Sequence, residues 1–207
     1  AIGLELALLT KNPWQVMVTT DNPNGGPFVK YPEIIGLLMS QKYREAELNT
    51  IHKKTTDRSS IGAIDRELNL EEIAIMTRAG QAKALGVLNI GKGHLSEGAE
   101  ADIAIFPFKP DRIDPSVEYD EIIAGFQQSL YTLKGGRVVT RDGEVVTGLA
   151  NRTFWSDVPQ PDGCDISASP RFIEKFTRFY SMELENYPVQ DEYVKRGVAL
   201  PGTGVTI

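Results

Sequence analysis

The chain has 207 residues, a net charge of −6 and an ordinary globular composition, 41% hydrophobic and 24% charged. This is long enough for one or two domains with a sizeable core. The acidic balance, with no Lys/Arg cluster, argues against a nucleic-acid surface, and no apolar run approaches the ~18–20 residues of a membrane span. A single cysteine, Cys164, rules out an intramolecular disulfide and fits a reducing cytoplasm.

The opening AIGLELALLT has no basic n-region and reads as a helix already under way over residues 1–11. Leu4, Leu8 and Lys11 fall at helical spacing, with Leu6, Ala7 and Leu9 thickening the apolar side. Without an initiator Met, this start predicts a piece of a longer polypeptide. Asn12-Pro13 ends the helix, because a residue before proline is pushed out of the α region. Residues 15–20 (Gln-Val-Met-Val-Thr-Thr) then read as a buried strand ending in Asp21. The Asn- and Gly-rich loop 21–32 permits close backbone approach. In an α/β setting, a carboxylate at a strand's end lies on the face where such sheets do chemistry. Asp before Asn-Pro is equally a turn starter whose side chain caps nearby N–H groups. Both readings of Asp21 stay open on these residues alone.

A helix is expected over 33–48, with Pro32 in its first turn, an apolar front from Ile34 to Met39, and QKYREAE continuing it in solvated form. His52, in a basic run, reads as a surface residue, and residues 55–68 as polar and irregular. Asn69 and Glu72 have capping-box spacing before a third helix, with Gly80 as its terminator and a short helical piece over 81–85 ending at Gly86.

Beyond Gly91 the periodicity changes to two. Strands are expected at 101–106, 130–134, 137–141 and 144–147, the last three joined by Gly135-Gly136 and Asp142-Gly143, and a helix at 120–129. Pro159, Pro161, Gly163 and Pro170 mark a linker. A helix over 171–185 then presents Phe172, Ile173, Phe176, Phe179 and Tyr180, and the tail is expected to run extended. No Walker loop, nucleophile elbow or Cys-x-x-Cys is present, and two histidines 42 residues apart make no zinc site of usual type.

Thr77–Gly86 followed by Lys92–Phe106 (TRAGQAKALG, then KGHLSEGAEADIAIF) resembles the C-terminal signature of the amidohydrolase superfamily. There Gly93 and Gly98 supply tight turns, Leu95 plugs a small sandwich, and Ala101-Asp102 starts its strand. The opening 28 residues, EIAIMTRAGQAKALG, YTLKGGRVVTRDGEVV and NYPVQDEYV resemble more narrowly the amidohydrolase-type subunit of formylmethanofuran dehydrogenases. A bacterial formyltransferase/hydrolase alpha subunit is a close relative of that family.

The resemblance implies an α/β fold. Residues 1–85 would be the last part of a TIM-like hydrolase barrel, 86–155 part of a small β-sandwich, and 156–207 a helical and extended C-terminal extension. It implies a cytoplasmic enzyme with a binuclear zinc site in the full-length subunit, of whose ligands only Asp21 falls in this chain, as metal ligand and proton acceptor. From position alone, beside Asp21, the loop residues Asn22, Asn24, Gly25 and Gly26 are expected to line the substrate cleft. Formylmethanofuran would be interconverted with formate and methanofuran. Tungsten or molybdenum pterin would sit only on a partner subunit, among the other subunits of the complex. With the remaining ligands N-terminal to residue 1, the chain alone is expected to bind zinc weakly and not to catalyse. Two other readings remain: another cyclic-amide amidohydrolase, and a non-catalytic interaction module gripping a partner with its C-terminal helix and tail.

Overall fold

The computed structural model describes residues 2–149, 153–157, 169–180 and 198–201. The chain separates into two compact units, residues 1–148 and 149–207.

The first unit opens with α1, Ile2–Leu9, which buries Ala7 and Leu8. Leu6 and Leu9 do not join that face; they are 60% and 62% exposed. The helix is apolar nearly all round, so composition alone could not say which stripe faces inward. Asn12 caps a 3₁₀ turn at Pro13–Gln15, its side chain accepting the Trp14 N–H. Residues 16–20 follow in extended conformation, with Val18 and Thr20 buried and Met17 and Thr19 exposed. The alternation is that of a strand with one covered face. No other segment among the described residues pairs with it, so the expected strand is an extended run without a ladder.

The helix expected over 33–48 is two. α2, Tyr31–Met39, carries Pro32 in its first turn and ends at Ser40, whose backbone is extended (φ −135°, ψ 118°). Ser40 then caps α3, Gln41–Leu48: its Oγ accepts the Tyr43 N–H at 3.1 Å and donates to the Ser116 carbonyl at 2.9 Å. A serine oxygen offered to free N–H groups competes with helix continuation. Arg44, in the stretch expected to be solvated, is only 1% exposed. Its guanidinium donates to the carbonyls of Leu37, Ile64 and Arg66 at 2.8–2.9 Å, tying the end of α2 to the segment 64–66. Burial pushes its pKa below the usual arginine value.

After the short α4, Lys53–Thr56, the polar segment 55–68 sends Ile61, Ile64 and Leu68 into the core. Arg66 donates to the carbonyls of Leu8 and Thr10 and pairs with Glu72, fastening α1 to the next helix. That helix starts with the expected capping box: Asn69 accepts the Glu72 N–H, and Glu72 accepts the Asn69 N–H. Gly80 does not terminate it. α5, Leu70–Ala74, passes through a π-helical turn, Ile75–Ala79, into α6, Gly80–Ala84, with Gly80 itself helical (φ −60°, ψ −46°).

Four antiparallel strands form a meander in chain order: β1, Ile103–Ile105; β2, Tyr131–Lys134; β3, Arg137–Arg141; and β4, Glu144–Val145. Between β1 and β2, α7, Tyr119–Gln127, packs on α2, burying Ile122 and stacking Tyr119 on Tyr43 at 4.8 Å. Gly93 and Gly98 make the expected tight turns, at φ 80° and 82°. Leu95 does not plug a sandwich; it is 78% exposed, because the turn between those glycines carries it outward.

Asp102, just before β1, is bound by Lys92 at 2.8 Å, by Lys134, and by the Gly135 N–H at 2.8 Å. Burial raises its pKa, but these donors outweigh burial and hold the carboxyl far below the usual range. A depressed folded-state pKa gives stability present above the unfolded carboxyl pKa of about 3.9 and lost as pH falls below it. Thermal melts between pH 7 and 3 should therefore show Asp102→Asn less stable at neutral pH but with a shallower acid-side loss than the parent. Equal acid slopes would remove Asp102 as the source.

In the second unit, β5, Phe154–Asp157, pairs in parallel with β6, Val198–Pro201. The expected extended tail is thus a paired strand where it is described. α8, Pro170–Tyr180, carries Phe172 and Phe176 with rings 5.9 Å apart. The linker prolines 159 and 161, Gly163, Cys164, residues 181–185 of the expected helix and the NYPVQDEYV motif lie outside the described residues.

Candidate functional site

Asp21 ends the extended run 16–20 and adopts a left-handed backbone, φ 53°, a region that Asp tolerates better than most residues. The turn it opens is closed by main chain: the Gly25 N–H donates to the Asp21 carbonyl at 2.7 Å. The Asp21 N–H is taken by Thr19 Oγ1 at 3.2 Å. Among the described residues, no hydrogen bond or ion pair engages the Asp21 carboxylate, which is exposed. The turn-starter reading is therefore half right: Asp21 makes the turn, but with its backbone, and the carboxylate is left over.

Gly25 is required by space. A Cβ there would lie 2.8 Å from the Thr20 carbonyl, 2.9 Å from Asp21 Cβ and 3.4 Å from its Oδ2. The bare Cα keeps the flank of the carboxylate open. Asn22 and Asn24 are exposed on the same turn, and Gly26 is half-buried. Beneath it, the Thr20 hydroxyl is buried with no partner.

The extended run is held by Met76, whose carbonyl accepts the Val18 N–H at 2.9 Å. Gln81 donates to the same carbonyl at 2.7 Å and lies 3.4 Å from the Val18 carbonyl. Neither residue stands out from the sequence pattern.

The two histidines are engaged elsewhere. His52 Nδ1 accepts the Lys54 N–H and caps α4; His94 Nδ1 accepts the Ser96 N–H. Among the described residues, no group of three or more His, Cys, Asp or Glu side chains is arranged to hold a metal ion. The residues present therefore do not fit a binuclear zinc centre by themselves; Asp21 is a single open carboxylate. Its chemistry as it stands is that of a proton acceptor or one ligand arm. Lys92 pairs with Glu100 and Asp102.

A separate cleft of about 300 Å³ is lined by Tyr31, Pro32, Ile35, Thr77, Arg78, Phe106 and Phe126. Arg78 donates to Thr77 Oγ1 at 2.7 Å, and burial pushes its pKa down. No described helix is long and apolar enough to cross a membrane.

The amidohydrolase family profile matches residues 4–140. Protein FwdA of Methanocaldococcus jannaschii is 48% identical over 194 residues, covering 93% of this chain and 33% of that protein. The A-type subunit of the formyltransferase/hydrolase complex Fhc of Methylorubrum extorquens is 40% identical over 176 residues, 85% of this chain and 30% of that one. The crystal structure of the FhcABCD complex from Methylorubrum extorquens, solved with methylofuran, superposes with a TM-score of 0.71 at 34% identity. It covers 97% of this chain and 34% of that chain. The chain spans about a third of the length of these relatives.

Proposed function

The chain belongs to the amidohydrolase family, and from that premise we propose that it works within a hydrolytic subunit interconverting formylmethanofuran with formate and methanofuran. The observation that carries the reading is the unengaged carboxylate of Asp21 at the end of an extended segment, in a chain one of whose relatives is named as a subunit of a formyltransferase/hydrolase complex. In this reading residues 1–85 belong to the hydrolase barrel, 86–155 to a small sandwich, and 156–207 are an extension.

Hydrolysis of a formyl amide needs water to lose a proton as it attacks the carbonyl carbon. A carboxylate within hydrogen-bond reach of that water serves as its acceptor and later returns the proton to the leaving amine. Asp21 supplies that carboxylate. Asn22 and Asn24, as exposed amides on the same turn, offer donors and acceptors to the furan-bearing amine, and Gly25 leaves room for it beside the carboxylate. Zinc dependence belongs to the whole subunit, since the described residues do not assemble the centre. The other subunits of a multisubunit complex, one of them bearing a tungsten or molybdenum pterin, complete the proposed setting.

The direct test is formate release from formylmethanofuran by the native protein, with metal content measured on the same preparation. Release that is lost on chelation and restored by zinc is the expected result. A native protein that contains no metal and releases no formate, yet assembles with partner subunits, would replace this reading with the interaction module.

A further inference from the structure

The helical stretch from Leu70 to Ala84 changes register at the place where the segment carrying Asp21 touches it. In a continuous α-helix the Gly80 N–H would bond the Met76 carbonyl four residues back. Here it bonds Ile75, five back, so the π turn releases the Met76 carbonyl from that intrahelical partner. The released carbonyl accepts the Val18 N–H at 2.9 Å and the Gln81 carboxamide at 2.7 Å. Gln81 Nε2 also lies 3.4 Å from the Val18 carbonyl, so both backbone polar groups of Val18 face this one feature. Among the described residues, the only other bond from the backbone of 16–20 to another element runs from the Val16 N–H to the adjoining Pro13 carbonyl at 3.3 Å, which leaves the depth of the run to Met76 and Gln81.

The register change also suits its residues. A Cβ on Gly80 would lie 2.9 Å from the Ile75 carbonyl, the acceptor that the π turn uses, and 3.8 Å from Met17 Cγ. A side chain at Gly80 would thus strike the turn's own hydrogen bond. π turns are rare, occur mostly as single turns inside α-helices, and are frequent at functional sites.

We infer that the π turn is a latch for the Asp21 segment, with Gln81 as a positioning residue that holds the carboxylate through Met76 and Val18. The inference rests on the catalytic reading of Asp21 given above. Gln81 itself touches no reacting atom; it acts three residues upstream, where the segment's depth and register are set.

The experiment is made on the native protein with Gln81→Met, which keeps length and loses both donors, and with Gln81→Glu, which keeps shape and, as a carboxylate, only accepts. Hydrogen exchange of the peptide covering residues 16–20 should quicken. The kcat should fall about tenfold to a hundredfold with KM within about twofold, as expected when a reacting group is misplaced rather than removed. In an Asp21→Asn background the same substitution should lower the residual rate by less than about twofold, since a latch has nothing left to position. Unchanged exchange, or an equal loss of rate in both backgrounds, would overturn the latch. If Asp21→Asn is fully active while Gln81→Met still quickens exchange, the latch stands and the catalytic reading of Asp21 falls.

Discussion

Asp21→Asn in the native protein is expected to lower kcat for formylmethanofuran hydrolysis by about 10²–10⁴-fold, the usual yield of a positioned proton acceptor. The substitution isolates the chemistry from the fold. Asparagine has the same shape and also tolerates the left-handed backbone at φ 53°, so the turn closed by Gly25 should persist. The carboxylate makes no bond whose loss would unfold anything, and a surface change of this kind moves stability by no more than about 0.5 kcal/mol. Loss of rate with an unaltered melting curve is therefore the signature. Asp21→Ala would confuse the two, because a Cβ residue without a local polar group is strained at positive φ. A rate within about twofold of the parent would remove Asp21 from the chemistry.

How much of this was legible depended on whether the signal was local. The Asn69–Glu72 box and the Gly135-Gly136 and Asp142-Gly143 turns are specified by neighbouring residues, and each stands where its spacing put it. The end of the extended run at Asp21 was equally local. Whether its carboxylate would cap the turn was not, because a side-chain oxygen and a main-chain carbonyl compete for the same N–H groups. The competition is settled here by the Gly25 N–H reaching the Asp21 carbonyl. Ser40 breaks a stretch that reads as one helix, apolar before it and solvated after, and it does so partly through a bond to Ser116, 76 positions away. Gly80 carries a terminator's identity but sits inside the helix, where the Ile75 carbonyl of the π turn lies 2.9 Å from the place of a Cβ. Leu95 was assigned inward by resemblance and is carried outward by the turn it occupies. The family profile, matching residues 4–140, could not supply such details.

Arg44→Met should be the most destabilising single change among those considered, by about 3–5 kcal/mol, the scale for removing one partner from a buried charged network. The sequence pattern places Arg44 on a solvated face because an arginine among Gln, Lys and Glu is almost always there. Among the described residues it is the largest fully buried side chain, and its planar fork reaches three carbonyls from two separate segments. Methionine fills most of the volume but supplies no donor, so the carbonyls of Leu37, Ile64 and Arg66 lose their Arg44 bonds, at about 1–3 kcal/mol for each left unsatisfied. Relaxation and entering water would recover part of that sum. Arg44→Lys should fall between, since a single ammonium cannot reach at once three carbonyls arranged around a guanidinium fork. Against a typical total of about 5–15 kcal/mol, the Met variant loses a large fraction of its margin. Urea denaturation followed by circular dichroism should show the midpoint dropping in the order parent, Lys, Met. Hydrogen exchange at the Leu68 amide, which donates to the Leu38 carbonyl beside the Arg44 tie, should quicken in the same order. A Met variant within about 0.5 kcal/mol of the parent would mean that the buried guanidinium's desolvation cancels what its three bonds contribute.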